Sequence, residues 1–232
     1  ADPAQDPIAA GRELKVDSVL DGKIQRSGER IRLTVQLLRV RDGAPLWADR
    51  FDASFTDIFT VQDSISEQVT RALTLKLSGD EKKRVTKRYT GSAEAYRAYL
   101  KGRYYWNKST SEDLRKAVGY FQQAIQTDPN FAPAYAGLAD CYVFGNGAAV
   151  PQRERFPRAK AAATKALEID NTLAEAYAPL AYIKFSHEWD WAGAEHDFKR
   201  PIELNPGYAT AQQWYADFLA LRGRLEEALA AI

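Results

Sequence analysis

The sequence is poor in the residues that carry most redox and metal chemistry: it has one cysteine, two histidines and no methionine. A single thiol, Cys141, excludes an internal disulfide and a cysteine-based zinc cluster, and leaves the redox compartment open. "HEWDW" at 187–191 begins like a zinc-protease helix, but Trp191 stands where the second imidazole must be. His196 lies nine residues beyond His187 with Glu188, Asp190 and Glu195 nearby. The structural reading is preferred there: Asp190 caps a helix, and Trp189 and Trp191 pack at the end of a helix pair. No Gly-rich phosphate loop and no G-x-S-x-G elbow is present. Cys141, between Asp140 and Tyr142 in a helical pattern, reads as a small buried hydrophobe rather than a nucleophile. The paired carboxylates Glu112-Asp113 and Glu226-Glu227 each open a helix, where negative charge suits the dipole. No catalytic residue, metal ligand or cofactor site is expected.

Net charge is also nearly absent, with 32 Lys and Arg against 31 Asp and Glu. A balance of +1 gives no global attraction to nucleic acid or anionic lipid. No uninterrupted apolar run approaches the roughly 18 residues of a membrane span. The opening "ADPAQDP" contains no signal-peptide hydrophobic region. The lack of Met at position 1, and "RLEEALAAI" stopping in a helical pattern, lead to the expectation of a piece of a longer polypeptide.

What is present falls into two parts. In "IRLTVQLLRV", Ile31, Leu33, Val35 and Leu37 alternate with Arg32, Thr34 and Gln36, the period of a half-buried strand. "VDSVLDGKIQRSGER" reads as a partner strand with a Ser27-Gly28-Glu29 turn. Asp42-Gly43 turns into a third strand, "PLWADRFD". A short helix, Ile8–Leu14, precedes the strands. A longer one is expected from Thr60 to Leu77, with Thr60 and Asp63 as a capping box and Val61, Ile65, Val69 and Leu73 as its apolar stripe. Three strands make a thin core with at least one open edge. Residues 79–91 form a charged connector. From 80 to 108, nine Lys and Arg face three Asp and Glu, a balance of +6. Without a nucleic-acid motif this reads as a solvated linker leading into a basic helix.

From Ser92 onward the period is helical and the pattern repeats. Ala117, Phe121, Ala124 and Pro129 fall at spacings of 4, 3 and 5; Ala159, Ala163, Ala166 and Asn171 repeat them, then Ala194, Phe198, Pro201 and Pro206, and Ala228 begins again. Tyr135, Leu138 and Ala139 are matched by Tyr177, Leu180 and Ala181, and by Gln212, Tyr215 and Ala216. Such repetition signals a solenoid of helix pairs. Small residues let two antiparallel helices approach, aromatics fill the space beside them, and the proline stops the second helix. Gly223 falls in an inter-helix turn. A longer loop is expected around "NKSTS", an insertion at "GNGAAVPQ", and a kink at Pro201.

These positions resemble the tetratricopeptide repeat, a unit of about 34 residues, across residues 92–232. The marks "GREL", "VLDGKIQRSGERIRLTVQLL", "DGAPLWADRFD" and "DIFTVQDSIS" are similar to the later part of the TolB-like amino-terminal domain. That domain precedes such repeats in bacterial signalling proteins, including CadC-like transcriptional regulators, some adenylate cyclases and some serine/threonine kinases. The run "RYYWNK…YFQQAI…DP" resembles the CadC-like group in particular. The resemblances imply an α+β chain: a partial α-β-β-β-α domain over 1–78, the linker 79–91, and an all-α superhelix of about three and a half repeats over 92–232.

Family geometry puts the second, fifth, ninth and twelfth repeat positions on a concave groove. They map onto Glu94, Arg97, Lys101 and Tyr104, onto Asp140 and Val143, onto Glu175, Tyr182 and Phe185, and onto Gln213 and Asp217. This implies a protein or peptide ligand with an acidic end; the rival reading is a set of solvated helix faces. Lys101, Gly137, Glu175 and Pro179 do not reproduce the family's clamp for C-terminal carboxylates, so a chaperone-tail binder is not expected. The implied function is a non-enzymatic sensory or interaction region, with a DNA-binding domain upstream and no direct nucleic-acid contact by this segment. The membrane would be reached only through an upstream segment, with the periplasmic side favoured and the cytoplasm, in a kinase or cyclase, the alternative. An open strand edge predicts pairing of two copies.

Overall fold

A computed structural model describes residues 6–28, 30–54, 61, 64–65, 68–69, 87–145 and 150–231. The chain divides between Arg88 and Tyr89 into two compact units.

In the first unit, α1 (Pro7–Glu13) starts where Asp6 accepts a hydrogen bond from the Ile8 amide, with proline in its first turn. Three antiparallel strands follow in the order β1 (Ser18–Ser27), β2 (Arg30–Arg39), β3 (Pro45–Ser54). Gly28 (φ +61°) and Gly43 (φ +70°) occupy the left-handed positions of the two turns. Val35 and Leu37 are buried while Arg32 and Thr34 face out, as the alternation predicts. Leu38 is buried as well, because a register shift between Leu37 and Leu38 breaks the alternation. On the polar face, Arg32 pairs with Asp52 directly opposite at 2.6 Å. Gln36 donates to the carboxylate of Asp21, also directly opposite. Among the described residues, β1 and β3 each pair only with β2. Of the helix expected over 60–77, Val61, Ser64, Ile65, Gln68 and Val69 are described and helical; Thr60, Asp63 and Leu73 lie outside the described residues, as do 79–86. The Trp47 indole donates to Gln68 at 2.8 Å.

The second unit is helical: α2 (Ala93–Lys108), α3 (Ser111–Thr127), α4 (Ala132–Phe144), α5 (Gln152–Ile169), α6 (Ala174–Ile183), α7 (Trp191–Leu204), α8 (Ala209–Leu221) and α9 (Leu225–Ala230). They pack as successive antiparallel pairs, α2 with α3, α4 with α5, α6 with α7 and α8 with α9. The chain is therefore α+β, a small antiparallel sheet followed by tetratricopeptide-like helix pairs. The residues that repeat in sequence are its buried seams: Ala117, Phe121, Ala124, Ala159, Ala163, Ala166, Ala194 and Phe198 are each fully buried. Phe121 sets the closest approach. A Cβ on Gly102 of α2 would lie 2.6 Å from its ring, and one on Gly137 of α4 would lie 2.5 Å from it.

The three descending turns share one device. Asp128, Asp170 and Asn205 cap α3, α5 and α7 in extended conformation. Each side chain accepts from the amide two residues on, Asn130 (3.0 Å), Thr172 (3.0 Å) and Gly207 (3.1 Å). Pro129 and Pro206 have Asn171 as their counterpart, so the Asx turn, and not the proline, is the common stop.

Several expectations need correction. The "NKSTS" segment is no long loop: α2 continues to Lys108, and only Ser109 (φ +57°) and Thr110, the cap of α3, intervene. α7 runs through Pro201, whose ring is buried, to Leu204. A π-helical turn, Lys184–Glu188, follows α6 and ends at Trp189 in the left-handed region. Trp189 is 67% exposed and touches only the outer side of that helix-pair end, its ring 6.1 Å from Trp191, whereas Trp191 packs inward against Phe185. Asp190 caps α7 as expected, and Gly223 (φ +75°) turns α8 into α9. Residues 146–149 of the expected insertion lie outside the described residues. Among the described residues no helix is long and apolar enough to cross a membrane.

Phe121 cannot retreat easily, because it is fully buried between two helices. Gly137→Ala is therefore expected to cost about 1–3 kcal/mol, the usual penalty of overpacking, read as a lower urea midpoint with unchanged slope. An unchanged midpoint would mean that the ring has room to move.

Candidate functional site

The first helices of the pairs, α2, α4, α6 and α8, lie side by side. Their shared face is largely filled by the chain itself. Phe144 of α4 lies 4.5 Å from Trp214 of α8 and 5.5 Å from Tyr182 of α6, between ring centroids. Tyr182 meets Trp214 edge-on at 5.6 Å, and Phe185 meets Trp191 and Phe218 in the same way.

Beside the rings sits a buried ion pair. Arg103 of α2 reaches Asp140 of α4 at 3.4 Å, while its guanidinium stacks over Trp106 at 4.5 Å. Asp140 is fully buried, and its Oδ1 has no hydrogen-bond partner. Burial pushes its carboxyl up to about 7, with Glu175 adding to the rise and Arg103 opposing it. The Tyr208 hydroxyl, also buried, makes no hydrogen bond of normal geometry, and desolvation raises its pKa well above the ordinary phenol value. The same cause takes Tyr99 up to about 12.

The expected groove residues separate into three groups. Glu94, Arg97, Lys101 and Tyr104 are exposed along α2, and Gln213 and Asp217 are exposed on α8. Lys101 lies over the Tyr120 ring at 5.2 Å, and Lys108 over Tyr104 at 4.6 Å. Glu175, Tyr182 and Phe185 are half-buried. Asp140 and Val143 differ from expectation: both are buried, the first against Arg103 and the second in the core. Close approach of α4 to its neighbours closes that part of the groove. Gly137 and Pro179, at clamp positions, are packing residues. Position counting missed Arg103, Trp106, Phe144, Tyr208 and Trp214. One signal was available: Arg103 sits four residues after Tyr99 and next to Gly102, a charge on the inner stripe of α2.

An open cavity of about 390 Å³ remains, lined by Trp106 and Ser109 at the α2–α3 turn, Leu114 in the first turn of α3, Phe144 at the end of α4, and Thr210, Gln213 and Trp214 at the start of α8. Reactive groups are placed elsewhere. Burial raises the Cys141 thiol well above its ordinary pKa, so the thiolate nucleophile is suppressed. His187 stacks on Phe156 at 4.7 Å, and the exposed His196 adjoins Asp197. Among the described residues no group of three His, Cys, Asp or Glu side chains is arranged to hold a metal ion.

No family model matches the chain. Over 131 residues, 55% of its length, it is 34% identical to the putative adenylate cyclase 3 of Rhizobium meliloti (strain 1021), of which it covers 22%. Over 142 residues, 61% of its length, it is 29% identical to the transcriptional regulator HilA of Salmonella typhimurium, of which it covers 26%. The chain spans about a quarter of the length of the curated relatives it matches. Among solved structures, a thermophilic TPR protein of Thermus thermophilus is 16% identical, with a TM-score of 0.47, over 76% of this chain and 84% of that one. The first TPR domain of Spaghetti is 17% identical, with a TM-score of 0.44, over 57% of this chain and 98% of that one. By its own geometry the chain is a small three-stranded sheet followed in sequence by tetratricopeptide-like helix pairs. Its distant relatives are a transcriptional regulator and a putative adenylate cyclase.

Asp140 makes stability depend on pH. Its raised pKa means that folding takes up a proton between about pH 4 and pH 7. The contribution of Asp140 to the stability of the helical unit is expected to be greatest below that window and to fall as pH rises through it, levelling above about 7. Asp140→Asn should remove this component of the slope when thermal midpoints are compared across the range. An identical pH profile in the variant would assign the dependence to other groups.

Proposed function

We propose that the chain is a non-catalytic, protein-binding region of a larger bacterial signalling protein. The observation that carries this reading is the distribution of side chains in the repeat stack. Its titratable interior groups, Asp140, Cys141 and Tyr208, are enclosed by packing, while the sides of α2 and α8 that flank the aromatic face stay exposed. A surface built this way recognises a partner by contact and involves no bond chemistry.

In the finer form of the proposal, residues 1–78 are the later part of a TolB-like domain, 79–91 a linker and 92–232 the repeats. The whole belongs to a CadC-like transcriptional regulator with its DNA-binding domain upstream, and this region faces the periplasm. The 29% identity with HilA over 142 residues supports it. A second reading, the cytoplasmic regulatory region of an adenylate cyclase, is favoured by the 34% identity over 131 residues. Tagging the full-length protein in its source cells, fractionating them and mapping its peptides separates the two. Upstream DNA-binding peptides in the membrane fraction would support the regulator; cyclase peptides in the soluble fraction would replace it.

Exposed cations on α2 lead to the next expectation. Arg97→Glu combined with Lys101→Glu should lower recovery of cross-linked partners from cells at least tenfold while leaving the thermal midpoint within a degree or two. Full recovery would move the contact off α2. Among the described residues no further strand pairs with the outer side of β1 or β3, and an edge of this sheet is proposed as a homodimer contact. Light scattering should then show dimers at high protein concentration; a strictly monomeric chain would remove that contact.

A further inference from the structure

We infer that the outer edge of β1 is where two copies of this chain pair, in an antiparallel register that sets Gly22 against the partner's Gly22. The inference rests on the homodimer contact proposed above and deepens it by naming the edge, the partner strand and the register.

The two edges of the sheet differ. On its apolar face, Val35 and Leu37 of β2 are buried, and Trp47 and Phe51 of β3 are half-buried. Leu20 and Ile24 of β1 stand on that same face, directly opposite Leu37 and Leu33, yet they are 53% and 71% exposed. α1 approaches the other face, where Gly11 lies close against Val19, and leaves these two side chains open. On β3, Asp52 is already paired with Arg32, and Pro45 lacks an amide donor. The edge with apolar surface still to bury is therefore β1.

The hydrogen-bond phase of β1 decides what this edge offers. The Val40 amide donates to the Asp17 carbonyl at 2.9 Å, and the ladder runs on from there as Ser18 opposite Arg39 and Val19 opposite Leu38. Odd-numbered residues of β1 therefore bond inward to β2. The N–H and C=O groups of Ser18, Leu20, Gly22, Ile24 and Arg26 point outward. Pairing about Gly22 sets Ser18 opposite the partner's Arg26 and Leu20 opposite the partner's Ile24. Each such pair exchanges main-chain hydrogen bonds, and the sheet continues from one copy into the other.

The side chains fit the same register. On the apolar face, Leu20 meets the partner's Ile24 on each side of the two-fold axis, and the bare Gly22 positions let the backbones approach between them. On the opposite face, Asp21 stands across from the partner's Lys23, and the axis repeats the pair. Like charges fall on the diagonals. Lys23 is exposed, and Asp21 accepts from Gln36 through one oxygen and keeps the other. Arg26, the remaining charge of β1, faces a serine. Neighbouring registers of the same phase fail: one centred on Asp21 sets Asp21 against the partner's Asp21, and one centred on Lys23 sets Lys23 against the partner's Lys23. The strand that this edge calls for offers Ile, Lys, Gly, Asp and Leu in reverse order, which is β1 itself. A single strand pair buries little surface, so the dimer is a weak one that forms at high concentration.

The test uses the whole chain, with dimerisation followed by sedimentation across concentration. Asp21→Lys and Lys23→Asp should each weaken the dimer roughly tenfold, because both symmetry-related pairs turn from attraction to repulsion. The two changes combined in one chain should restore most of the loss. Ile24→Glu should abolish the dimer, and circular dichroism should be unchanged in all four variants. Under oxidation, a mixture of Asp21→Cys and Lys23→Cys chains should give roughly five times more covalent dimer than either variant alone, because only facing positions stand at disulfide distance. The buried Cys141 makes the unaltered chain the control. A dimer that keeps its strength in both charge reversals, a combined variant no stronger than the single ones, or equal cross-linking in all three samples would overturn the β1 register and leave a homodimer contact elsewhere. A chain that stays monomeric at every concentration would overturn this inference and the homodimer contact together; partner recovery from cells decides the protein-binding reading separately.

Discussion

The helical unit depends on how closely α2, α3 and α4 approach one another around Phe121. One fully buried ring fills the space between three helices only because two positions facing it, Gly102 and Gly137, carry no side chain. The fully buried alanines at 117, 124, 159, 163, 166 and 194 extend the same principle along the stack. Small residues bring backbones together, and interior packing at crystal-like density then leaves little tolerance for added volume. The Asx turns at Asp128, Asp170 and Asn205 fix where each second helix ends, so each pair delivers the next at a similar offset.

Close approach has a consequence for binding. Where α4 lies tight between its neighbours, side chains that would line an open groove are enclosed. Asp140 becomes a buried acid with Arg103 as its charged partner, and burial outweighs that partner in setting its titration. Such a pair is weak evidence of stability, since desolvation of both ions opposes their attraction. Its clearer role is geometric: Arg103 links α2 to α4 and stacks on Trp106, which ties the wall of the open cavity to the buried pair.

The sequence made the repeat legible because its signal is steric and periodic. Phe121, Ala163 and Phe198 recur at matched positions and are buried at matched positions. The alternation of β2 was readable for the same reason until the register shift at Leu37 and Leu38, which no local pattern announces. What escaped were features decided by tertiary contacts or by competition between helical states. The π-helical turn at Lys184–Glu188 and the left-handed Trp189 depend on how α6 hands over to α7. The extra residues of "NKSTS" were absorbed by lengthening α2, where Lys108 gains the Tyr104 ring, rather than by a loop. The site was less legible still. Counting repeat positions assumes an open concave face, and the ring contacts of Phe144, Tyr182 and Trp214 do not leave one.

A repeat stack that fills its concave face with its own aromatics has to present specificity at its margins. Here the margins are chemically unlike. The α2–α3 hairpin holds Tyr105 and Tyr120 in a parallel stack at 5.5 Å, with Lys116 and Lys101 over the two rings, so its surface is polar and positively charged. The α8–α9 hairpin leaves Leu221, Leu225 and Leu229 largely exposed. The cavity lies where α2 and α8 come within reach of one another, and it inherits indole walls from both. The same close packing that encloses Asp140 and Val143 is what brings Trp106 and Trp214 to one cavity, so loss of the conventional groove and gain of the pocket are two results of one geometry.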